Sequence, residues 1–119
     1  MNERSMVATQ EAKAALELLI DQLRALPRGS VISYGALAAL CGRPRGARWA
    51  ARCLSQLPQG HDLPWHRVLR ADGKVAFPSG SASYELQCER LRAEGIEVRN
   101  GRVRMQPAPS LDELLFGSE

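Results

Sequence analysis

The stretch that decides the fold is "SYGALAALCGRPRGARWAARCLSQL", residues 33–57. Ser33 is a typical N-cap residue, and the apolar pattern that follows it continues as far as Gly42, which predicts a short helix. Pro44 suits a first helical turn, so another helix is predicted from about 44 to 56. Two short helices joined by a tight turn are typical of a helix-turn-helix, whose second helix contacts DNA.

The second of these helices has two different faces. One face is apolar and is predicted to pack on the core; it consists of Ala47, Ala50, Ala51 and Leu54. The opposite face is basic and aromatic and is predicted to contact DNA; it consists of Arg45, Arg48, Trp49 and Arg52. Gly46 and the alanines would let this helix approach a partner closely, because no bulky side chain holds the backbones apart.

Further helices and hairpins are predicted around this motif. Apolar residues recur at helical spacing over 10–26, and a last helix is predicted from Ser81 to Gly95. The first hairpin would join Val68 and Leu69 to Lys74 and Val75 through an Asp-Gly turn, and the second would turn at Asn100 and Gly101. The predicted fold is therefore mainly α with small β-hairpins, arranged as a winged helix-turn-helix domain.

The length of 119 residues fits one domain with its own hydrophobic core. We expect that domain to span 10–106, after a disordered segment over 1–9 and before a tail over 107–119. No stretch approaches the roughly 20 apolar residues of a membrane helix, and the first residues lack the order of a secretion signal. We therefore expect a cytoplasmic protein without membrane contact, associated with the nucleoid if the source is bacterial.

The cysteines and the charges narrow the class further. The three cysteines are odd in number and lie in apolar patterns, so buried free thiols are expected rather than disulfides. The net charge of +3 is unevenly distributed along the chain. Residues 24–74 contain nine basic residues but only two acidic ones, Asp62 and Asp72. A solvated basic face is one interpretation, but clustered arginine favours phosphate or base contacts. The nine are Arg24, Arg28, Arg43, Arg45, Arg48, Arg52, Arg67, Arg70 and Lys74.

The sequence Pro64-Trp65-His66-Arg67-Val68 raises the question of catalysis. A nucleophile needs a lone pair that can be activated, whereas the indole of Trp65 offers only a neutral N–H donor. His66 is a candidate general base, although a lone histidine is more often structural. His61, His66 and a cysteine lack the spacing of a zinc site, so no metal or other cofactor is expected.

At this point a family resemblance carries the interpretation further. The run from "LPRGSVISYG" to "LPWHRVLRADGKV", followed by "SG", a helix and "AEG", resembles the C-terminal DNA-binding domain of O6-alkylguanine-DNA alkyltransferases. In those repair proteins a Pro-Cys-His-Arg-Val motif carries the cysteine that accepts the alkyl group. Trp65 stands at that position here, which resembles the alkyltransferase-like proteins, non-catalytic relatives that pass the lesion to nucleotide excision repair. The resemblance covers about residues 10–95.

The resemblance implies partners and DNA-binding roles. The expected partners are duplex DNA containing O6-alkylguanine and nucleotide excision repair proteins, bound by a monomer. Tyr34 would push on the phosphate of the target nucleotide, or else be a capping or core tyrosine. Arg48 would replace the flipped base in the stack, or else contact phosphate. The family places its helix-turn-helix in the minor groove, where Gly46 and Ala47 would permit close approach. Ala47 thus has two conflicting assignments, to DNA and to the core.

The resemblance also implies a pocket for the flipped base. Its lining would consist of Trp65, His66, Phe77, Ser79 and Gly80. Pro64, Arg67 and Glu94 would support it, with Arg67 holding the turn through backbone carbonyls or a carboxylate. Phe77 and Pro78 depart from the Tyr-Ser-Gly-Gly edge of the alkyltransferases, and Leu57 departs from their Asn-Pro pair, so a pocket that admits adducts larger than methyl is possible.

Two alternatives from other classes stay open. One is an active methyltransferase that uses another cysteine, such as Cys88 or Cys53. The other is a winged-helix transcription regulator, which would respond to the base sequence rather than to the lesion.

Overall fold

The computed structural model describes residues 3–58 and 60–105, with side chains from residue 10 onward. It confirms a mainly helical fold, whereas the tail predicted over 107–119 lies outside the described residues. Nowhere in the described ranges is a helix both long and apolar enough to cross a bilayer. The elements are α1 (Glu3–Arg24), β1 (Ile32–Ser33), α2 (Tyr34–Leu40), α3 (Ala47–Ser55), a 3-10 turn (Trp65–Arg67), β2 (Val68–Leu69) and α4 (Ala82–Ala93).

The first helix is longer than predicted. It begins at Glu3 and ends at Arg24, instead of spanning 10–26. The segment expected to be disordered over 1–9 is therefore helical from Glu3 onward. The apolar pattern that predicts the helix starts at Ala12, whereas the first turns of α1 are mostly polar and carry no such pattern.

The third helix begins later than predicted. The expected start near Pro44 is wrong, because Arg45 has a φ of 62°, in the left-handed region that ends or precedes a right-handed helix. Gly46 then serves as the N-cap residue, and α3 starts at Ala47. The prediction that Ser33 caps α2 is correct, since its hydroxyl accepts a hydrogen bond from the Ala36 amide at 3.0 Å.

The sheet differs from the prediction at the first hairpin. β2 pairs in parallel with β1, with Ile32 opposite Val68 and Ser33 opposite Leu69. Lys74 instead forms an antiparallel bridge with Arg102, which belongs to the second hairpin. Both residues of β2 are fully buried, and a strand covered on both sides is typical of parallel pairing rather than of an exposed wing.

The second hairpin is confirmed. Arg99 and Arg102 exchange backbone hydrogen bonds of 3.0 and 2.9 Å around Asn100 and Gly101. Both turn residues have positive φ, 51° and 71°, as a type I′ turn requires. This hairpin, together with the strand-like segment at Lys74 and Val75, forms the wing of the domain.

Two hydrophobic clusters make up the core, and β2 joins them. Successive side chains of a strand point in opposite directions, so Val68 enters the first cluster and Leu69 the second. The first cluster lies among α1, α2 and α3, and its buried members are Leu19, Leu23, Leu37, Ala38, Cys41, Ala50, Cys53, Leu63 and Val68. The second lies between α4 and the wing, and comprises Leu69, Val75, Cys88, Leu91, Val98 and Val103.

Candidate nucleic-acid interface and base pocket

The two faces of α3 differ in part from the prediction. Ala50 is buried and Leu54 is half-buried, as expected, but Ala47 and Ala51 are exposed. Trp49 is also misplaced, since it is half-buried against the first core cluster instead of facing outward. Trp49 lies four residues before the buried Cys53 and therefore shares a helix face with it, and the Arg43 guanidinium lies 4.5 Å from the Trp49 ring centroid.

Gly46 and Ala47 have different surroundings. A Cβ atom on Gly46 would lie 2.7 Å from the Arg43 carbonyl oxygen and 3.1 Å from the Ala38 Cβ, so glycine lets α3 pack closely on α2. Ala47 is exposed, which resolves its two assignments against the core. The small residue that remains available to a partner is therefore Ala47, whereas Gly46 has a packing role.

The first turns of α2 and α3 lie side by side. A Cβ atom built on Gly35 would be 4.0 Å from the Ala47 Cβ. Tyr34 and Arg48 are the chain neighbours of these two residues, so they belong to the same end of the motif. Tyr34 is half-buried against the first core cluster, and burial raises the pKa of its phenol. Its ring thus has a packing role, in agreement with the core alternative, whatever contact its hydroxyl makes.

An arginine surface covers this end of the domain; it is defined here as Arg43, Arg45, Arg48 and Arg52. All four residues are exposed. No salt bridge among the described residues involves this surface. Guanidinium groups without a carboxylate partner keep their full charge for an anionic ligand such as a phosphate backbone.

The turn before α3 allows a test of this surface. Replacing Arg45 by glycine is expected to raise the free energy of unfolding by up to about 1 kcal/mol, because glycine adopts a positive φ without steric strain. The same change should weaken duplex DNA binding through the loss of one charge. Urea unfolding and a DNA titration measure the two effects. Arg52→Gly, inside α3, is the control and should be destabilised by about 1 kcal/mol. A less stable Arg45→Gly protein would contradict the strain at this position.

The Pro64-Trp65-His66-Arg67 segment forms a tight 3-10 turn. The Arg67 amide donates to the Pro64 carbonyl oxygen at 3.1 Å, and the Trp65 amide to that of Leu63 at 2.9 Å. This turn directs consecutive side chains to different sides. Trp65 is half-buried, whereas the His66 ring is directed inward and is only 7% exposed.

The Trp65 indole has neighbours on several sides. Phe77 meets it edge-on with ring centroids 6.0 Å apart, and the His66 ring meets it in the same way at 6.2 Å. The Arg90 guanidinium lies 5.6 Å from the Trp65 ring centroid. The structure thus brings together three of the predicted lining residues, Trp65, His66 and Phe77. The other two, Ser79 and Gly80, are exposed in the turn that leads into α4.

Arg90 is absent from the sequence-based prediction of the pocket. The available signal is its position on α4, one helical turn before Glu94, because residues four apart share a helix face. The family resemblance predicts the pocket edge in the loop around Phe77 and gives no indication that Arg90 of α4 contributes to it.

Glu94 holds the turn in place from behind. Its carboxylate accepts hydrogen bonds from Arg67 Nε at 2.9 Å and Nη2 at 2.8 Å, from the Gly29 amide at 2.8 Å, and from His66 Nε2 at 2.5 Å. The Arg67 hydrogen bonds are the largest reason why the pKa of Glu94 falls from 4.5 to about 2. Because the carboxylate is ionised, Nε2 of His66 is the donor to it.

Arg67 makes both kinds of contact expected for it. Besides the carboxylate, its Nη1 donates to the Leu26 carbonyl oxygen at 2.8 Å. Gln87, a buried residue that the sequence does not single out, donates from Nε2 to the carbonyl oxygens of His66 and Val68, each at 3.0 Å. The Trp65–Arg67 turn is therefore fixed to the segment that follows α1 and, through Gln87 and Glu94, to α4 and its C-terminal end.

The buried thiols do not offer a second reactive centre. Cys41, Cys53 and Cys88 are free and buried, as predicted. Burial raises the pKa of each, which disfavours the thiolate that nucleophilic attack requires. These observations argue against the alternative of a methyltransferase that uses Cys88 or Cys53. Within the described ranges, no group of three or more potential metal ligands is found.

Comparison with known protein families places the chain. A family model described as "6-O-methylguanine DNA methyltransferase, DNA binding domain" matches residues 16–96. The chain belongs to this family. The matched range includes both helices of the helix-turn-helix, the Trp65–Arg67 turn and α4.

Relatives within the family are named for base flipping and for likeness to an alkyltransferase. A "DNA base-flipping protein" of Vibrio parahaemolyticus is 38% identical over 68% of this chain and 80% of its own length. "Alkyltransferase-like protein 1" of Schizosaccharomyces pombe is 33% identical over 66% and 72%. The chain spans between 63% and 80% of the length of the first relatives it matches. The resemblance to alkyltransferase-like proteins is thus confirmed.

A solved structure of this family supports the fold. The crystal structure of S. pombe Atl1 "in complex with damaged DNA containing O6-carboxymethylguanine" has a TM-score of 0.69 with this chain at 28% identity. The match covers 79% of this chain and 90% of Atl1. The prediction of an alkyltransferase-like winged helix-turn-helix domain is confirmed.

Proposed function

We propose that this protein recognises O6-alkylguanine in duplex DNA, rotates the base out of the stack and holds it against Trp65 without removing the alkyl group. The single observation that carries the proposal is the indole of Trp65 at the centre of the Pro-Trp-His-Arg turn, backed by His66 and Glu94. Relatives named for base flipping, and a related structure in complex with damaged DNA, support the same activity.

The chemistry of the turn explains why the alkyl group would stay on the base. Alkyl transfer needs an atom that can form a new bond to carbon, and neutral indole presents an N–H donor and an apolar face. The His66–Glu94 pair then has a structural role in our proposal, since it fixes the turn. Burial of the alkyl group on the ring would be worth roughly 0.8 kcal/mol per CH₂.

The DNA contact is assigned to the arginine surface and to the first turns of α2 and α3. Arg48 would fill the gap left by the flipped base, Tyr34 would press on the adjacent phosphate, and exposed Ala47 would permit entry into the minor groove. Arg45 and Arg52 would contact phosphates. Trp49, now half-buried, would support α3 through Arg43 rather than touch DNA.

The remaining assignments concern the pocket and the partners. Phe77, Ser79 and Gly80 would form the pocket edge, with Pro64, Arg67 and Glu94 as its support. A domain over 10–106 would bind DNA as a monomer in the cytoplasm or at the nucleoid. The unrepaired complex would then be a signal for nucleotide excision repair proteins, because a lesion left in place needs another activity to remove it.

A binding comparison tests this function. The protein should bind a duplex containing O6-methylguanine at least about tenfold more tightly than the same duplex containing guanine, because a weakly paired base needs less energy to be extruded. Both affinities should fall steeply with salt, since phosphate contacts release counterions. Fluorescence anisotropy with paired labelled duplexes at several salt concentrations provides the measurement.

Two outcomes would overturn the proposal. Equal affinity for the two duplexes, together with dependence on the surrounding base sequence, would instead support a transcription regulator. An increase in protein mass by one alkyl group after incubation with the methylated duplex would show group transfer. The mass is measured on protein recovered from the same binding reaction, so that binding and transfer are assessed together.

A further inference from the structure

Arg90 brings a positive charge to the Trp65 ring from a different element. It lies on α4, whose C-cap residue is Glu94, and its guanidinium is 5.6 Å from the Trp65 ring centroid. Phe77 contacts the same indole edge-on with centroids 6.0 Å apart. The surroundings of Trp65 therefore combine one apolar ring, that of Phe77, with one cation, Arg90.

The charge of Arg90 is not compensated within the described part of the chain. No salt bridge there includes Arg90, and the residue is exposed. The acidic residue one helical turn away, Glu94, has both carboxylate oxygens occupied by Arg67, His66 and Gly29. One turn in the other direction is Leu86, which is apolar and 40% exposed.

This arrangement suits a ligand that is apolar next to the ring and anionic at its far end. The indole would contact the methylene group of such an adduct, and the guanidinium would pair with a carboxylate through charge-assisted hydrogen bonds. We propose that Arg90 makes the pocket selective for O6-alkylguanine adducts that end in a carboxylate. This proposal rests on the proposed function, because it assumes that the flipped base is bound against Trp65.

Two adducts of nearly equal size but different charge distinguish the effect of charge on binding from the effect of shape. Duplexes with O6-carboxymethylguanine and with its neutral amide, O6-carbamoylmethylguanine, differ by one charge at nearly equal volume. At low salt the wild-type protein should bind the carboxymethyl duplex about tenfold more tightly, because the Arg90 guanidinium can pair with the carboxylate but not with the neutral amide. Arg90→Gln should bring that ratio to about one.

The control is Arg92→Gln, which removes the same charge from α4. Arg92 donates to the Val98 carbonyl oxygen at 2.9 Å, so it is held at the wing, and its loss should leave the carboxymethyl ratio intact. Thermal unfolding of each variant confirms that the compared proteins are folded.

The outcomes separate this inference from the proposed function. If no lesion is distinguished from guanine, the proposed function fails. If O6-methylguanine is distinguished but the carboxymethyl and carbamoylmethyl duplexes bind equally, the function stands and the Arg90 inference is wrong. Persistence of the charge preference in Arg90→Gln, or its loss in Arg92→Gln, would likewise overturn the inference.

Discussion

Glu94→Gln is expected to lower the free energy of unfolding by roughly 3 to 5 kcal/mol at pH 7, because it leaves the guanidinium of Arg67 without its carboxylate. The side chains of Arg67 and Glu94 are only 14% and 6% exposed, so solvent cannot replace the lost partner. The amide would also place an N–H₂ group among donors from Arg67, His66 and Gly29. Chemical denaturation at pH 7 measures the difference.

The pH dependence of that difference has a defined sign. In the folded protein the pKa of Glu94 is about 2, below its usual value of 4.5, because Arg67 and the other donors favour the carboxylate. The unfolded chain therefore binds the proton first as the pH falls. The stabilisation is complete above about pH 4.5 and is lost as the pH falls towards 2. The gap between wild type and Glu94→Gln should narrow over that window.

Glu97→Gln is the matched control for the removal of one carboxylate. Glu97 pairs with Arg99 at the surface, where the two side chains are 70% and 83% exposed, so its loss should change stability by less than about 1 kcal/mol. A Glu94→Gln protein as stable as this control would refute the structural role of the carboxylate. A stability gap that does not change between pH 7 and pH 3 would refute the ionised state assigned to it.

Arg48→Ala is expected to weaken binding to a lesion duplex by roughly 1 to 3 kcal/mol, which corresponds to about 5- to 150-fold in affinity. Unstacking the target base costs a few kcal/mol, and a planar guanidinium in the gap would offset part of that cost. Because guanine in an intact duplex stays stacked more often, its weaker binding should be reduced less. The ratio of lesion affinity to guanine affinity is the quantity to measure.

Arg52→Ala serves as the control for charge alone. Arg52 is exposed on the same helix and also lacks an ion-pair partner in the described ranges. Its replacement should weaken both duplexes by a similar factor and reduce the salt dependence, as expected for a phosphate contact. If Arg48→Ala and Arg52→Ala have the same effect on the affinity ratio, Arg48 does not occupy the stack.

Local signals in the sequence are enough to predict the parts of the fold that depend on neighbouring residues. Ser33 and Ser81 cap α2 and α4 because a serine hydroxyl satisfies a free amide of the first turn. Asn100 and Gly101 form the second hairpin because both tolerate positive φ. These preferences act within four or five residues of the chain, so no tertiary information is needed.

Features that depend on distant partners were not predictable in this way. An Asp-Gly turn suggests that Val68 and Leu69 pair with Lys74 and Val75, but the choice of β1 as partner depends on burial from both sides. Trp49 packs against the first core cluster, with the Arg43 guanidinium 4.5 Å from its ring centroid. Helical periodicity contains no information on either contact.

In the candidate site, too, some residues are predictable from the sequence and others only from the packing of distant elements. The motif around Trp65 and its family resemblance predict His66, Arg67 and Glu94 as site residues, and the structure brings all three together. Arg90 and Gln87 contribute through the packing of α4 against the turn, which only the three-dimensional arrangement reveals.

The two residues of β2 have a consequence for how a base can be captured. Val68 and Leu69 belong to different hydrophobic clusters and directly follow the turn that carries Trp65. The turn that carries the indole is thus attached to a strand that packs in both hydrophobic clusters, and a shift of this strand would disturb both clusters at once. Discrimination between adducts would then follow a lock-and-key principle, in which the extruded nucleotide adjusts its position to a rigid pocket surface formed by Trp65.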